Sequence, residues 1–247
     1  CCEAFAAPPG IEITVEANPG TVDRELLAAL KAQGVNRLSL GVQTMDPRLL
    51  KRLGRRHTCE EAKQAVESAR GAGFNNLSLD VMYGLPGQSK EQWQDTVEKV
   101  LAFDPEHLSA YSLKVEPGTP FFQLEQSGNL DLPGEDREAE MFEWLRERVQ
   151  RAGYVHYEIS NFAKPGFAAQ HNLAYWQNEE YLGLGPAAYS GLRGVDLAEV
   201  FDGRLPAWPL PMPATAAAAA AAPLIRFGNR SDLKDYLHSV RQFKSPV

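Results

Sequence analysis

The chain has 247 residues, 44% hydrophobic and 23% charged, and its 25 Lys and Arg against 32 Asp and Glu leave a net charge of −7. Collagen-like, disordered and disulfide-scaffold classes are excluded, because a chain of this length and apolar content can bury a large core without crosslinks. An acidic balance with no Lys/Arg run argues against a protein held mainly by nucleic-acid phosphates or an anionic membrane surface. No run approaches the roughly 18 consecutive apolar residues of a spanning helix, and no signal peptide opens the sequence, so a soluble cytoplasmic protein is expected. The three cysteines, Cys1, Cys2 and Cys59, are too few and too unevenly spaced for a disulfide framework.

Strands and helices alternate from residue 11 onward. Residues 11–17 (IEITVEA) read as a strand, and residues 21–33 as a helix capped by Thr21, with Leu26, Leu27 and Leu30 on its apolar face and Gly34 as its stop. A second strand is expected over 37–42 (RLSLGV). A helix over 59–71 follows, capped by Thr58, with Ala62, Ala65, Val66 and Ala69 facing inward. Residues 77–83 (LSLDVMY) give a third strand, 90–103 a third helix, 107–114 (HLSAYSLK) a fourth strand, and 135–152 a helix after a Gly/Pro-rich loop. This rhythm implies an α/β fold of parallel strands joined by right-handed crossovers. Glu16, Gln43 and Asp80 fall at or just past the C-terminal ends of successive strands, where such sheets and barrels bind ligands. The plainer reading of each is a helix cap.

Beyond residue 153 the pattern changes. Residues 154–162 (YVHYEISNF) read as one more strand, residues 171–189 are rich in aromatics, and a last helix is expected within 226–239 with Ser231 as its cap. The expected division is a barrel-like domain over residues 1–165 and a smaller α+β domain over residues 166–247. The seven-alanine run 216–222, between Pro213 and Pro223, reads as low-complexity filler.

The strings EANPGT (16–21), NRLSLGVQ (36–43), GRRHT (54–58), LDVMYGLPGQ (79–88), YEISNFAKPG (157–166) and HNLAYW (171–176) occur in one order along nearly the whole chain. In that order and spacing they resemble the radical S-adenosylmethionine (SAM) proteins related to oxygen-independent coproporphyrinogen III oxidase, in their haem-chaperone branch. The resemblance implies a partial, TIM-like (β/α) barrel with a smaller C-terminal α+β domain. It implies a [4Fe–4S] cluster on a CxxxCxxC loop, whose three thiolates leave one iron open to SAM; an electron from the cluster then yields a 5′-deoxyadenosyl radical. The motif is missing here, as is the glycine-rich loop that in relatives approaches the SAM amino group before the strand carrying Glu16. Cys1 and Cys2 are accordingly read as remnants beside a cluster loop outside this sequence.

Residue by residue, the resemblance implies that Glu16 meets the amino end of SAM, that Gln43 and Arg55 lie near its ribose and carboxylate, that Asp80 accepts from a ribose hydroxyl, and that Lys114 borders the ligand. A guanidinium fork suits a carboxylate, though a plain surface ion pair is the simpler account of Arg55, with Arg52 and Arg56 beside it. His171 in HNLAYW is implied as a haem ligand, with Asn172, Tyr175 and Trp176 around the porphyrin; neutral imidazole and aromatic faces suit that task. Unaided, the same residues read as a loop hydrogen-bonding pair and a core cluster. Cys59 reads as a packing residue, and His57, His107, His156 and His238 as structural or surface residues. The function implied is haem binding and delivery to haem proteins such as cytochromes, with peripheral membrane contact at delivery; the alternative is oxidative decarboxylation of coproporphyrinogen III. The segment 157–166 favours the former.

Overall fold

The structure is a computed structural model and describes residues 8–193 and 223–241. Cys1, Cys2 and the alanine run lie outside the described residues. The chain divides into two compact units, Cys1–Ala168 and Ala169–Val247.

The first unit is built on a six-stranded sheet: β1 (Thr14–Ala17), β2 (Arg37–Gln43), β3 (Leu77–Tyr83), β4 (His107–Ser112), β5 (Val155–Glu158) and β6 (Asn161–Ala163). The spatial order is β1-β2-β3-β4-β6-β5, so the sheet is open. The first four strands are parallel, and β6 and β5 close the far edge antiparallel. The helices are α1 (Arg24–Ala32), α2 (Pro47–Arg52), α3 (Cys59–Gly71), α4 (Lys90–Leu101), α5 (Pro120–Gln126) and α6 (Glu135–Arg151).

Strand alternation sorts side chains between the two faces of this sheet. Leu38, Leu40, Leu77, Leu79, Val81, Leu108 and Phe162 lie on one face and are fully buried. Leu27 of α1, Ala65 and Val66 of α3, Trp93 and Val97 of α4, and Met141 and Leu145 of α6 complete a single core with them. Each fully buried leucine contributes about 2 kcal/mol by transfer from water. The other face carries Glu16, Arg37, Ser39, Ser78, Asp80, His107, Ser109 and Asn161.

Helix starts follow local chemistry. Thr58 and Ser89 form reciprocal capping boxes with Glu61 and Gln92 at the heads of α3 and α4. Three boundaries depart from the sequence reading. Asp23, not Thr21, caps α1 by accepting from Leu26 N at 2.8 Å, because Thr21 sits in a 3-10 turn with its hydroxyl donated to Asn18 O. One consequence is that Leu26 is 44% exposed and only Leu27 of the expected face is fully buried. Residues 154–162 do not form one strand but enter a β5–β6 hairpin, whose reversal is held by the Glu158 carboxylate accepting from Ser160 N and from the Asn161 amide. β4 ends at Ser112, which leaves Lys114 beyond the sheet. The sequence reading also omitted α2 and α5, each of which opens on a proline after a capping side chain.

The N-terminal ends of β3 and β4 are tied by one carboxylate. Arg70 of α3 forks onto Glu106 at 2.8 and 3.1 Å, and Glu106 also accepts from Leu77 N at 2.9 Å. The same guanidinium donates to Phe74 O and Asp104 O, so α3 and the approach to both strands share one anchor.

The second unit holds α7 (Gln170–Trp176), the antiparallel pair β7 (Tyr189–Leu192) and β8 (Ile225–Gly228), and α8 (Leu233–Arg241). Asp232, not Ser231, caps α8 by accepting from Lys234 N and Asp235 N. A bridge between Tyr181 and Gly191 extends the pair, and the Tyr181 ring lies so close over Gly191 that a Cβ there would meet it at 2.5 Å. Among the described residues no helix is long and apolar enough to cross a membrane.

Replacing Glu106 by Ala leaves the Arg70 fork and Leu77 N unpaired, and the expected loss is about 2–3 kcal/mol. Urea unfolding with an unchanged m-value measures it; a loss under 0.5 kcal/mol contradicts the anchoring role.

Candidate functional site

The polar face is built from alternate residues of four neighbouring strands. Register places Glu16 beside Ser39, Gly41 beside Asp80, and Asp80 beside Ser109. Ser39 Oγ lies 3.0 and 3.1 Å from the two carboxylate oxygens of Asp80, and Ser78 Oγ lies 3.3 Å from Oδ1. Burial pushes the Asp80 carboxyl up from its ordinary value, aided by the nearby charge of Glu16, while hydrogen bonds from Ser109 and Ser39 and the charge of Arg37 hold it back. Asp80 is thus an acceptor site whose ionised form depends on a ring of serine hydroxyls.

A bulge delivers Gln43. The ladder between β2 and β3 slips between Gly41 and Gln43, and Gln43 takes a left-handed φ of 66°. For a residue with a Cβ this costs about 1–2 kcal/mol, a kind of strain that concentrates at ligand sites. A Cβ at Gly41 would stand 2.7 Å from Gln43 Nε2, so a larger residue there would push that amide aside.

Arg55 comes from the loop after α2. His57, buried at the end of that loop, meets Val42 O at 3.2 Å and pins the loop to the bulge. Arg55 Nη1 then donates to Asn18 Oδ1 at 3.1 Å, past the end of β1. Glu16 and Gln43 lie at the C-terminal ends of β1 and β2 and Arg55 meets Asn18 past β1, whereas Asp80, expected at a strand end, is the central residue of β3 beside Gly41. Lys114 does not join them: its side chain is 83% exposed and pairs with Glu116 at 3.3 Å.

The inner face also holds two buried polar atoms with no partner among the described residues, Arg37 Nε and Asn161 Oδ1. An acceptor carboxylate ringed by hydroxyls, an exposed second acid, an amide and a guanidinium fit a ligand with ribose hydroxyls, an ammonium group and a carboxylate. That is the donor and acceptor set of SAM. Among the described residues no three His, Cys, Asp or Glu side chains could hold a metal, and Cys1 and Cys2 lie outside those residues. Cys59 packs against the core, and burial raises its thiol above the ordinary value.

His107, set aside in the sequence reading as structural or surface, is fully buried on the same face. Its Nδ1 lies 2.8 Å from Ser78 Oγ and its Nε2 lies 2.7 Å from the Tyr157 hydroxyl. Burial, reinforced by the charge of Arg37, lowers its pKa to about 3. The signal was present in HLSAYS, where His107, Ser109 and Tyr111 alternate with Leu108 and Ala110 and so share a face.

In the second unit, His171 lies exposed on α7, and Asn172 is half-buried beside it. The rings of His171 and Tyr175 meet edge-on at 4.5 Å, and Tyr175 meets Tyr181 at 4.4 Å. Trp176 is 53% exposed at the helix end.

Residues 2–100 match the family model of the radical SAM superfamily. A heme chaperone HemW of Bacillus subtilis (strain 168) is 46% identical over 189 residues, covering 76% of this chain and 50% of that protein. HemW of Escherichia coli (strain K12) is 43% identical over 178 residues, covering 72% and 46%. The solved structure of the radical SAM enzyme coproporphyrinogen III oxidase (HemN) from Escherichia coli superposes with a TM-score of 0.68 at 21% identity, over 95% of this chain and 50% of that one. The chain belongs to the radical SAM superfamily. Within it, the chain falls in the HemW branch of the oxygen-independent coproporphyrinogen III oxidase-like proteins. It spans about half the length of the curated relatives it matches.

The depressed pKa of His107 carries a sign. A folded pKa near 3 against an ordinary 6.5 means that only the unfolded chain takes up this proton between those values. Stability falls as pH drops through 6.5 toward 3, with a slope of up to about 1.4 kcal/mol per pH unit from this group. In His107→Asn that share of the acid slope disappears from urea titrations at pH 4 to 6; an unchanged slope shows that His107 takes up a proton in the fold.

Proposed function

We propose that the protein is a haem chaperone of the radical SAM type, which binds SAM on the inner sheet face, holds a [4Fe–4S] cluster, and receives haem at α7 for delivery to haem proteins such as cytochromes. One observation supports the haem reading above the rest: an exposed imidazole, His171, stands edge-on to Tyr175, which packs against Tyr181. Imidazole ligates haem iron, and phenol rings beside it offer apolar cover for a porphyrin. Asn172 and Trp176 complete the rim of this surface in the reading.

When bound, SAM supplies a sulfonium-linked adenosyl group. The chain's own contribution is orientation: Asp80 accepts from a ribose hydroxyl, Gln43 reaches the ribose edge from its bulge, Arg55 takes the amino-acid carboxylate, and Glu16 takes the ammonium group. Cluster ligation by Cys1, Cys2 or any neighbouring thiolate lies outside the described residues, and none of these contacts depends on it. The reading places the work in the cytoplasm, with peripheral membrane contact at delivery. Coproporphyrinogen III oxidation is the weaker reading, since likeness to HemN at 21% identity is a likeness of fold.

Two measurements on the reconstituted full-length protein test the proposal. His171→Ala is expected to weaken haem affinity at least tenfold, about 1.4 kcal/mol, with the far-UV CD spectrum unchanged; an unaltered titration refutes the ligand. Asp80→Ala is expected to weaken SAM binding by roughly ten- to a hundredfold, the range for a hydrogen bond to a charged group. Incubation with coproporphyrinogen III alongside haem separates the two readings, decarboxylation favouring the oxidase and stable haem retention the chaperone.

A further inference from the structure

His107 has no place in the nucleoside contacts above, yet it is fully buried on the face that makes them and bonded at both ring nitrogens. A serine hydroxyl has a single proton. Ser78 Oγ lies 3.3 Å from Asp80 Oδ1 and 2.8 Å from His107 Nδ1, and it cannot donate to both. With Asp80 ionised, as the nucleoside reading takes it, the carboxylate only accepts, so Ser78 donates to Asp80. His107 Nδ1 then carries the proton that Ser78 accepts. Nε2 is left as the acceptor and takes the Tyr157 hydroxyl proton at 2.7 Å. The direction of the whole chain, Tyr157 to His107 to Ser78 to Asp80, is fixed by the carboxylate at its end.

We propose that His107 is a positioning residue for the nucleoside site: in its Nδ1–H tautomer, held by Tyr157, it commits the Ser78 hydroxyl proton to Asp80 and so keeps that carboxylate ionised and oriented. The inference rests on the reading of Asp80 as a SAM-binding acid. Its distinct content is that a residue three hydrogen bonds from the ligand, through Ser78 and Asp80, sets the protonation of the group that touches it. The groups facing this chain are Glu16 on β1, whose charge raises the Asp80 carboxyl, Arg37 on β2, whose charge lowers both Asp80 and His107, Tyr111 on β4, and Tyr157 and Glu158 on β5. Arg37 reinforces the arrangement by opposing a second proton on His107.

The test uses full-length protein with its cluster reconstituted, and S-adenosylmethionine as the probe. Nitrogen-15 chemical shifts of the imidazole, read without ligand at pH 7.5, are expected to show the neutral Nδ1–H tautomer; the Nε2–H tautomer overturns the inference. Calorimetry is expected to show SAM affinity about tenfold weaker in His107→Leu, because the Ser78 hydroxyl, without the imidazole N–H that it accepts, is no longer committed to Asp80. The acid limb of its pH profile moves to higher pH, because a Ser78 hydroxyl free to turn away favours the ionised form of Asp80 less. His107→Asn, whose amide can still donate to Ser78, is expected to stay within about threefold of wild type. A purely structural role moves affinity without moving the acid limb, so wild-type affinity or an unmoved limb in His107→Leu overturns the inference. If His107→Leu fails to fold, Ser78→Ala carries the same two expectations. If Asp80→Ala binds SAM as wild type does, the nucleoside reading itself falls, an outcome separate from the relay failing alone.

Discussion

A parallel sheet is ordinarily apolar on both faces, because crossover helices cover one side and a second layer or a barrel interior fills the other. In this chain the helix-covered face obeys that rule through Leu38, Leu40, Leu79 and Leu108, while the opposite face carries Arg37, Ser39, Ser78, Asp80, His107, Ser109 and Asn161. Buried polar groups persist only when they bond one another or a ligand. Everything else about the site follows from meeting that demand. Serine is the recurrent solution because it is small, donates once, and packs between strands without displacing them. The acid sits where three such hydroxyls reach it, and the histidine sits where one of them needs a donor.

The same constraint explains why the site is delivered from several directions. The end of β1 supplies Glu16 and the middle of β3 supplies Asp80. Gln43 comes from a bulge, with Gly41 leaving room for its amide and His57 against Val42 O. Arg55 rides on the loop that His57 fixes, so a buried ring with no ligand role decides where a guanidinium points. Disturbing packing behind β2 would therefore reach the ligand through geometry, since a site of this kind tolerates little displacement of its groups.

Much of the first unit was readable from sequence because its signals are local. Period-two runs bounded by glycine gave β1 to β4, and Thr58 with Glu61 three residues on gave the head of α3. What escaped depended on contacts distant in the chain or on competition between neighbours. Thr21 and Asp23 both suit a cap, and only the 3-10 turn that occupies the Thr21 hydroxyl decides for Asp23. The hairpin at 159–160 has no glycine or proline to announce it and relies on Glu158 folding back. Lys114 seemed to end a strand that stops two residues earlier. His107 was passed over because its partners lie 29 and 50 residues away, at Ser78 and Tyr157. The acids and amide of the site could be proposed from family strings, but the left-handed backbone that aims Gln43 could not.

That left-handed backbone sets stability and recognition against each other at one position. A glycine in place of Gln43 would relax the backbone and strengthen the fold, yet it would remove the amide that the strain serves to present. Selection for thermal robustness alone would drift toward the smaller residue, so the persistence of glutamine at the bulge would report a continuing demand for what it holds. Laboratory stabilisation of this scaffold should accordingly leave the end of β2 untouched and seek its gains on the helix-covered side of the sheet.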